Sequence, residues 1–125
     1  MNDMNDINDI KQARYNHIVK KYENILKCGL ECDYGWFDLI ERVCFQISKR
    51  VETLQYSDFK IIQIKEKFGQ LRIYTTFSDD YISGVISLAS SISLCTCEIC
   101  GNKGSIDPTN QWIRTLCDDC KNHDK

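Results

Sequence analysis

Four cysteines near the C-terminus have the spacing best suited to chemistry. In "CEICGNKGSIDPTNQWIRTLCDDC", Cys97 and Cys100 form one C-x2-C pair, and Cys117 and Cys120 form a second after sixteen intervening residues. Two thiolates two residues apart can grip one ion from a tight turn. Two such turns supply the four ligands of a tetrahedral zinc site. Four thiolates leave no coordination position for water, so the expected Zn2+ is structural rather than catalytic. Gly101, directly after Cys100, lets the chain turn so that its amides approach the sulfurs. The competing chemistries for such pairs are a redox dithiol and a disulfide. His123 and Cys95 are the alternative ligands. Cys28, Cys32 and Cys44 read as buried thiols, and with Cys95 they are the only material for a second site.

The second candidate is "KIIQIKEKFGQLRIYTTF", residues 60–77, where strand-like alternation is mixed with charge. "FGQ" at 68–70 supplies a hairpin turn, with Gly69 free to take a positive φ. Alternation puts Ile62, Ile64, Leu71, Ile73, Thr75 and Phe77 on one face. Gln63, Lys65, Lys67, Arg72 and Tyr74 fall on the other. Two lysines, a guanidinium and a phenol on one surface can hold a phosphate or carboxylate and stack against a ring. A solvated outer face is the plain alternative. Glu66 falls on the apolar face, where a carboxylate must pair, cap something, sit at the core's edge or act as a functional group.

Helices must position both features. Ile7, Ile10, Arg14, Tyr15, Ile18, Val19, Tyr22, Ile25 and Leu26 recur at helical spacing and predict a first helix over about 6–27, with Asp3, Asp6 and Asp9 suited to its N-terminus. "CGLECDYG" breaks it. Asp33 then precedes a second helix over 36–53, striped by Phe37, Ile40, Cys44, Ile47 and Val51. "SDD" at 78–80 starts a third helix that runs to about Leu94. "IDP" at 106–108 reads as a turn and "QWIRTL" as a returning strand. The expected fold is α+β: helices packed on a two-stranded antiparallel hairpin over 1–96, with a zinc ribbon over 97–125 integral to the same domain.

At 125 residues the chain suits one modest domain. Its net charge of −2 argues against a strongly basic nucleic-acid binder. Residues 1–58 carry 10 acidic and 8 basic groups, 59–96 carry 3 and 4, and 97–125 carry 5 and 4. Only the middle segment is net positive. The least charged run, Tyr81 to Thr96, is too polar for a membrane span. "MNDMNDINDI" has neither a basic nor an apolar signal region, which predicts a cytoplasmic, reducing setting and so favours metal over disulfides. No Ser-His-Asp set, phosphate loop or H-E-x-x-H motif occurs, and the two histidines, His17 and His123, have no readable partner. The sequence therefore leans away from an enzyme, which ranks last among the alternatives with Glu66 as its acid or base.

"GWFDLIERV", "IIQIKEKFGQLRIYT", "CEICG" and "WIRTLCDDC", in that order, resemble a family of small bacterial and phage proteins. Its members carry a G-W helix start, a K-E-K-F-G-x-L-R-x-Y hairpin and a C-terminal C-x2-C pair. The likeness spans roughly 34–120. The last metal position of that family is often His where this chain has Cys120, and both are zinc ligands. The resemblance implies a phage or prophage setting and, by analogy of gene company, an anti-defence role. The expected function is non-catalytic binding of a small anionic, nucleotide-like ligand by Lys65, Glu66, Lys67, Arg72 and Tyr74. A protein-interaction module, or inhibitor of a host protein, is the alternative, with a nucleic-acid-binding ribbon behind it. A homodimer pairing two hairpins is compatible with either.

Overall fold

The computed structural model describes residues 3–107 and 111–123. Among these, the elements are α1 (Asp3–Lys21), β1 (Leu30–Glu31), α2 (Phe37–Leu54), β2 (Ile61–Lys67), β3 (Gln70–Thr75), α3 (Asp80–Ser93), β4 (Ser105–Ile106), β5 (Thr115–Leu116) and α4 (Asp118–His123), with a 3-10 turn at Tyr34–Trp36 leading into α2. The class is α+β, with the predicted hairpin at its centre and the four C-terminal cysteines gathered at one end.

The apolar stripe of the first helix runs to Leu26, but α1 stops at Lys21. Ile25 and Leu26 stay buried by a different route. They lie in the turn after α1 and in a single bridge to β2, where Ile61 N–H donates to Ile25 O at 2.7 Å and Lys27 N–H donates to Ile61 O at 3.0 Å. Periodicity identifies a buried position without saying which backbone delivers it. Ile7 and Ile10, also on the stripe, are exposed, whereas Ile18 and Tyr22 are buried. Farther on, the segment expected only as a break forms β1. Leu30 and Glu31 pair in parallel with Ile64 and Lys65, giving a sheet of order β1-β2-β3. Parallel strands need a crossover, and α2 provides it.

Helix α2 follows its predicted stripe, with Phe37, Ile40, Val43, Cys44 and Ile47 buried. Asp33 holds the expected cap position, but its side chain caps nothing; its carboxylate takes the Arg114 guanidinium instead. The hairpin departs from strict alternation at one point. Ile61 opposes Thr75 and Gln63 opposes Tyr74, so Ile62 is the extra residue of a β-bulge. The core residues are therefore Ile61 and Ile64, and Ile62 is exposed. Beyond the bulge, Leu71 and Ile73 keep the predicted inner face.

Lys67 pairs with Gln70, leaving Phe68 and Gly69 as a two-residue turn. Their φ values, 54° and 80°, are both left-handed, which is the type I′ geometry that matches strand twist. Glycine adopts it freely. For Phe68 it carries a strain of about 1–2 kcal/mol. On the far side, α3 meets the edge of β3 at Leu71: its N–H donates to Ser93 Oγ at 3.0 Å, and Ser90 Oγ donates to its carbonyl at 2.8 Å.

The ribbon is smaller than the sequence suggests. Ser105 pairs with Leu116 and Ile106 with Thr115. Of "QWIRTL", only Thr115 and Leu116 are strand. In the predicted 106–108 turn, Ile106 belongs to β4 and Pro108 lies outside the described residues.

Candidate metal centre and cationic hairpin face

The two C-x2-C pairs converge. The Sγ atoms of Cys97, Cys100, Cys117 and Cys120 all lie within 4.8 Å of one another, and Cys100 and Cys117 sulfurs are 3.5 Å apart. A tetrahedron of sulfurs ~2.3 Å from a zinc ion has edges of ~3.8 Å, so the set fits such an ion. Each pair sits in a tight local turn. Gly101 N–H donates to Cys97 O at 2.9 Å and Cys97 N–H to Asn102 O at 2.7 Å. In the second pair, Lys121 N–H donates to Cys117 O at 2.9 Å as α4 begins, and Cys120 N–H points at Cys117 Sγ at 3.4 Å. Burial pushes the Cys97 thiol up, but backbone hydrogen bonds at Cys117, Cys100 and Ile99, together with the Cys100 side chain, outweigh it and bring it to about 7. The Cys120 thiol is raised, by burial first and then by its thiol neighbours. Four sulfurs this close need a cation before all can ionise.

A shell that the sequence did not single out fixes this centre to the core. Gly35 N–H donates to Glu98 O at 2.7 Å, and Trp36 Nε1–H donates to Thr96 O at 2.8 Å. Thr115 Oγ1 donates to Gly69 O at 2.6 Å in a fully buried contact. Glu98, between two ligands, is buried. Its Oε2 accepts Asp33 N–H at 3.0 Å, and its Oε1 lies 3.5 Å from Arg114 Nη2. Burial raises the Glu98 carboxyl, against the lowering pull of Asp33 N–H and Arg114. The only available signal was Glu98's place inside C-E-I-C, which says nothing of partners 65 positions away.

The remaining thiols do not assemble. Cys44 is buried in the core, with Cys28 and Cys32 packed against it. Burial pushes Cys44 up to about 12 and raises Cys28 and Cys32 as well. Cys95 is exposed and bonds Ile92 O. Among the described residues, the four C-terminal cysteines are the one metal-competent group. The His123 side chain lies outside those described. His17 faces Glu41 at 3.7 Å in a network with Arg14 and Lys21 that ties α1 to α2.

The hairpin residues fall as alternation predicts beyond the bulge. Lys65 lies directly opposite Arg72, and Gln63 opposite Tyr74. Lys65 Nζ stands 5.7 Å from the Tyr74 ring, and Lys67 Nζ 6.0 Å from that of Phe68. Arg14, Arg50 and Arg114 each meet a carboxylate. Among the described residues Lys65, Lys67 and Arg72 form no ion pair, although Glu31 lies beside Lys65 in register. Arg72 Nε is buried without a hydrogen-bond partner. Glu66 sits on the inner side opposite Leu71, and its Oε2 accepts Gly69 N–H at 2.7 Å, bracing the hairpin turn.

Comparison of the chain with protein families, curated proteins and solved structures finds no match. No described helix is long and apolar enough to cross a membrane.

Proposed function

We propose that the protein is a non-catalytic binding protein in which a zinc-held ribbon braces a hairpin whose outer face takes a small anionic, nucleotide-like ligand. One observation carries the reading. Lys65 and Arg72 stand directly opposite each other with no described carboxylate paired to either, beside Lys67 and the Tyr74 ring. Like charges directly opposite on a sheet are destabilising. A bound phosphate or carboxylate relieves that repulsion and pairs with the Arg72 guanidinium. The four-cysteine centre serves as scaffold, because a site filled by four thiolates has no position for a reacting group.

Isothermal titration of the zinc-loaded protein with phosphate, pyrophosphate and nucleoside mono- and triphosphates tests this. A charge-assisted hydrogen bond contributes ~1.5–3 kcal/mol, so Arg72→Ala should weaken the best-bound anion by ~10-fold or more. Unchanged affinity in that variant removes the hairpin face as the site. The second reading, a protein-interaction module, is favoured by Trp112, which is 75% exposed. It predicts that no anion binds and that Trp112→Ala abolishes capture of a protein partner. The anti-defence role stands on the family resemblance alone.

A further inference from the structure

We propose that the cleft between the hairpin turn and the ribbon loop is a stacking site for the base of a nucleotide whose phosphate lies on the adjoining Lys67, Lys65 and Arg72 face. This rests on the anion-binding reading above and names the other half of the ligand.

The cleft holds about 340 Å³ and is lined by Glu66, Lys67, Phe68, Gln111, Trp112 and Ile113. That volume is at the lower end of the ~300–1,000 Å³ of small-molecule sites. Trp112 and Phe68 are 75% and 66% exposed, the two highest values among the described large apolar side chains, and both line this one cleft. Phe68 is the more telling. It occupies the first central position of a type I′ turn at φ 54°, where Asn, Asp or Gly is the relaxed choice. Backbone preference opposes a phenylalanine there, and its exposure means that burial in the core does not offset the strain. Strain of this kind, held at an exposed ring, points to a ligand contact.

The two walls are fixed to each other. Thr115 Oγ1 holds Gly69 O at 2.6 Å, and Glu66 holds Gly69 N–H at 2.7 Å. The hairpin turn and the ribbon strand beside the cleft are thus joined, which lowers the ordering cost of a ring that enters it. Its edges carry the Glu66 carboxylate and the Gln111 amide, which can accept hydrogen bonds from ring N–H groups. Lys67 belongs to both surfaces, lining the cleft and sharing the outer face with Lys65. An aromatic slot that runs into three cations without carboxylate partners matches a planar ring carrying phosphate. A hydrophobic peptide has no use for those charges, and base stacking on aromatic side chains needs no particular sequence of donors.

The test uses the intact, metal-loaded protein with three probes: adenosine monophosphate, ribose monophosphate and adenosine. Trp36 is fully buried, so quenching of exposed tryptophan emission reports Trp112. Adenosine monophosphate should bind at least ~5-fold more tightly than ribose monophosphate and quench that emission. Phe68→Asn should remove the difference while leaving ribose monophosphate affinity unchanged. Its melting temperature should equal or exceed the parent's, because asparagine suits the turn, so lost binding is not lost folding. Trp112→Ala should act in the same direction. Equal affinity for the two phosphates, or a preference that survives Phe68→Asn, overturns the stacking site and leaves the cationic face standing. Failure of both phosphates to bind overturns the anion reading and this inference with it.

Discussion

Asp79 does three things at once. Its Oδ1 accepts Ile82 N–H at 2.8 Å and caps α3, while its Oδ2 accepts Arg50 Nε–H at 2.9 Å and the Tyr56 hydroxyl at 2.8 Å. The Ile82 amide first, then Arg50 and Tyr56, hold its carboxyl down at about 2. An unfolded aspartate titrates near ~3.9. The folded value is the lower one, so the stabilisation is complete above the unfolded value and is lost as pH falls from ~4 toward 2. Asp79→Asn keeps a capping side chain but loses the charge. In urea unfolding at a series of pH values, the stability gap between parent and variant should be constant near neutrality and close below pH ~4. A gap that persists at pH ~2 would assign it to shape rather than charge. The helix start was legible in "SDD", because such signals are local, though the sequence put Asp79 in the first turn and the structure makes it the cap. Arg50 and Tyr56 lie 29 and 23 positions away and left no trace there. The grouping of the four C-terminal cysteines was legible for the same reason: each pair is a local turn. Glu98 and Arg114 were not, since their roles exist only once the ribbon is docked.

Among elements, docking depends on a close backbone approach at the 3-10 turn before α2. A Cβ on Gly35 would lie 2.1 Å from Cys97 O and 2.5 Å from Glu98 O, where only backbone could yield. Gly35→Ala should therefore destabilise the protein by ~2 kcal/mol or more. Gly84, in the middle of α3, has nothing within 4 Å of the same added atom. Gly84→Ala should instead stabilise by ~0.5–1 kcal/mol, since glycine is the poorer helix former. Chemical denaturation of the two variants checks both signs, and equal effects would refute the docking account. The elements themselves were largely legible where they are long: α2, α3 and the hairpin follow their apolar periods. The end of α1, the strand β1 and the bulge at Ile62 were not. Each is decided by pairing with β2, and a parallel partner of two residues leaves no pattern of its own. The outer row of Lys65 opposite Arg72 survived the bulge because the bulge precedes it.

For the whole molecule, the question is how much of the fold hangs on the cysteine centre. The main core runs continuously from Ile18 to Ala89 through α1, α2, the sheet and α3. The ribbon's own buried cluster is only Cys97, Leu116 and Cys117, with Ile99 and Cys120 against it. Two strands of two residues and so small a cluster do not fold without a staple. We therefore expect one metal ion per chain by elemental analysis, and its loss in Cys97→Ser. Removing the ion by chelation should open the ribbon first. The amides of Cys97, Glu98, Gly101, Gly104 and Lys121 should lose hydrogen-exchange protection, while those of α2 and β2 keep theirs. The damage should then spread in one direction, because Trp36 Nε1, the Asp33 amide and Gly69 O each lose a ribbon partner. Each lost hydrogen bond removes about 0.5–1.5 kcal/mol net, so the remaining core should melt at a lower temperature without unfolding outright. Since Gly69 is the joint between hairpin and ribbon, chelation should also abolish any ligand contact at Phe68 and Trp112 while sparing the Lys65 and Arg72 face. A chelated protein with parental melting temperature and exchange pattern would mean that the four cysteines gather without holding the fold.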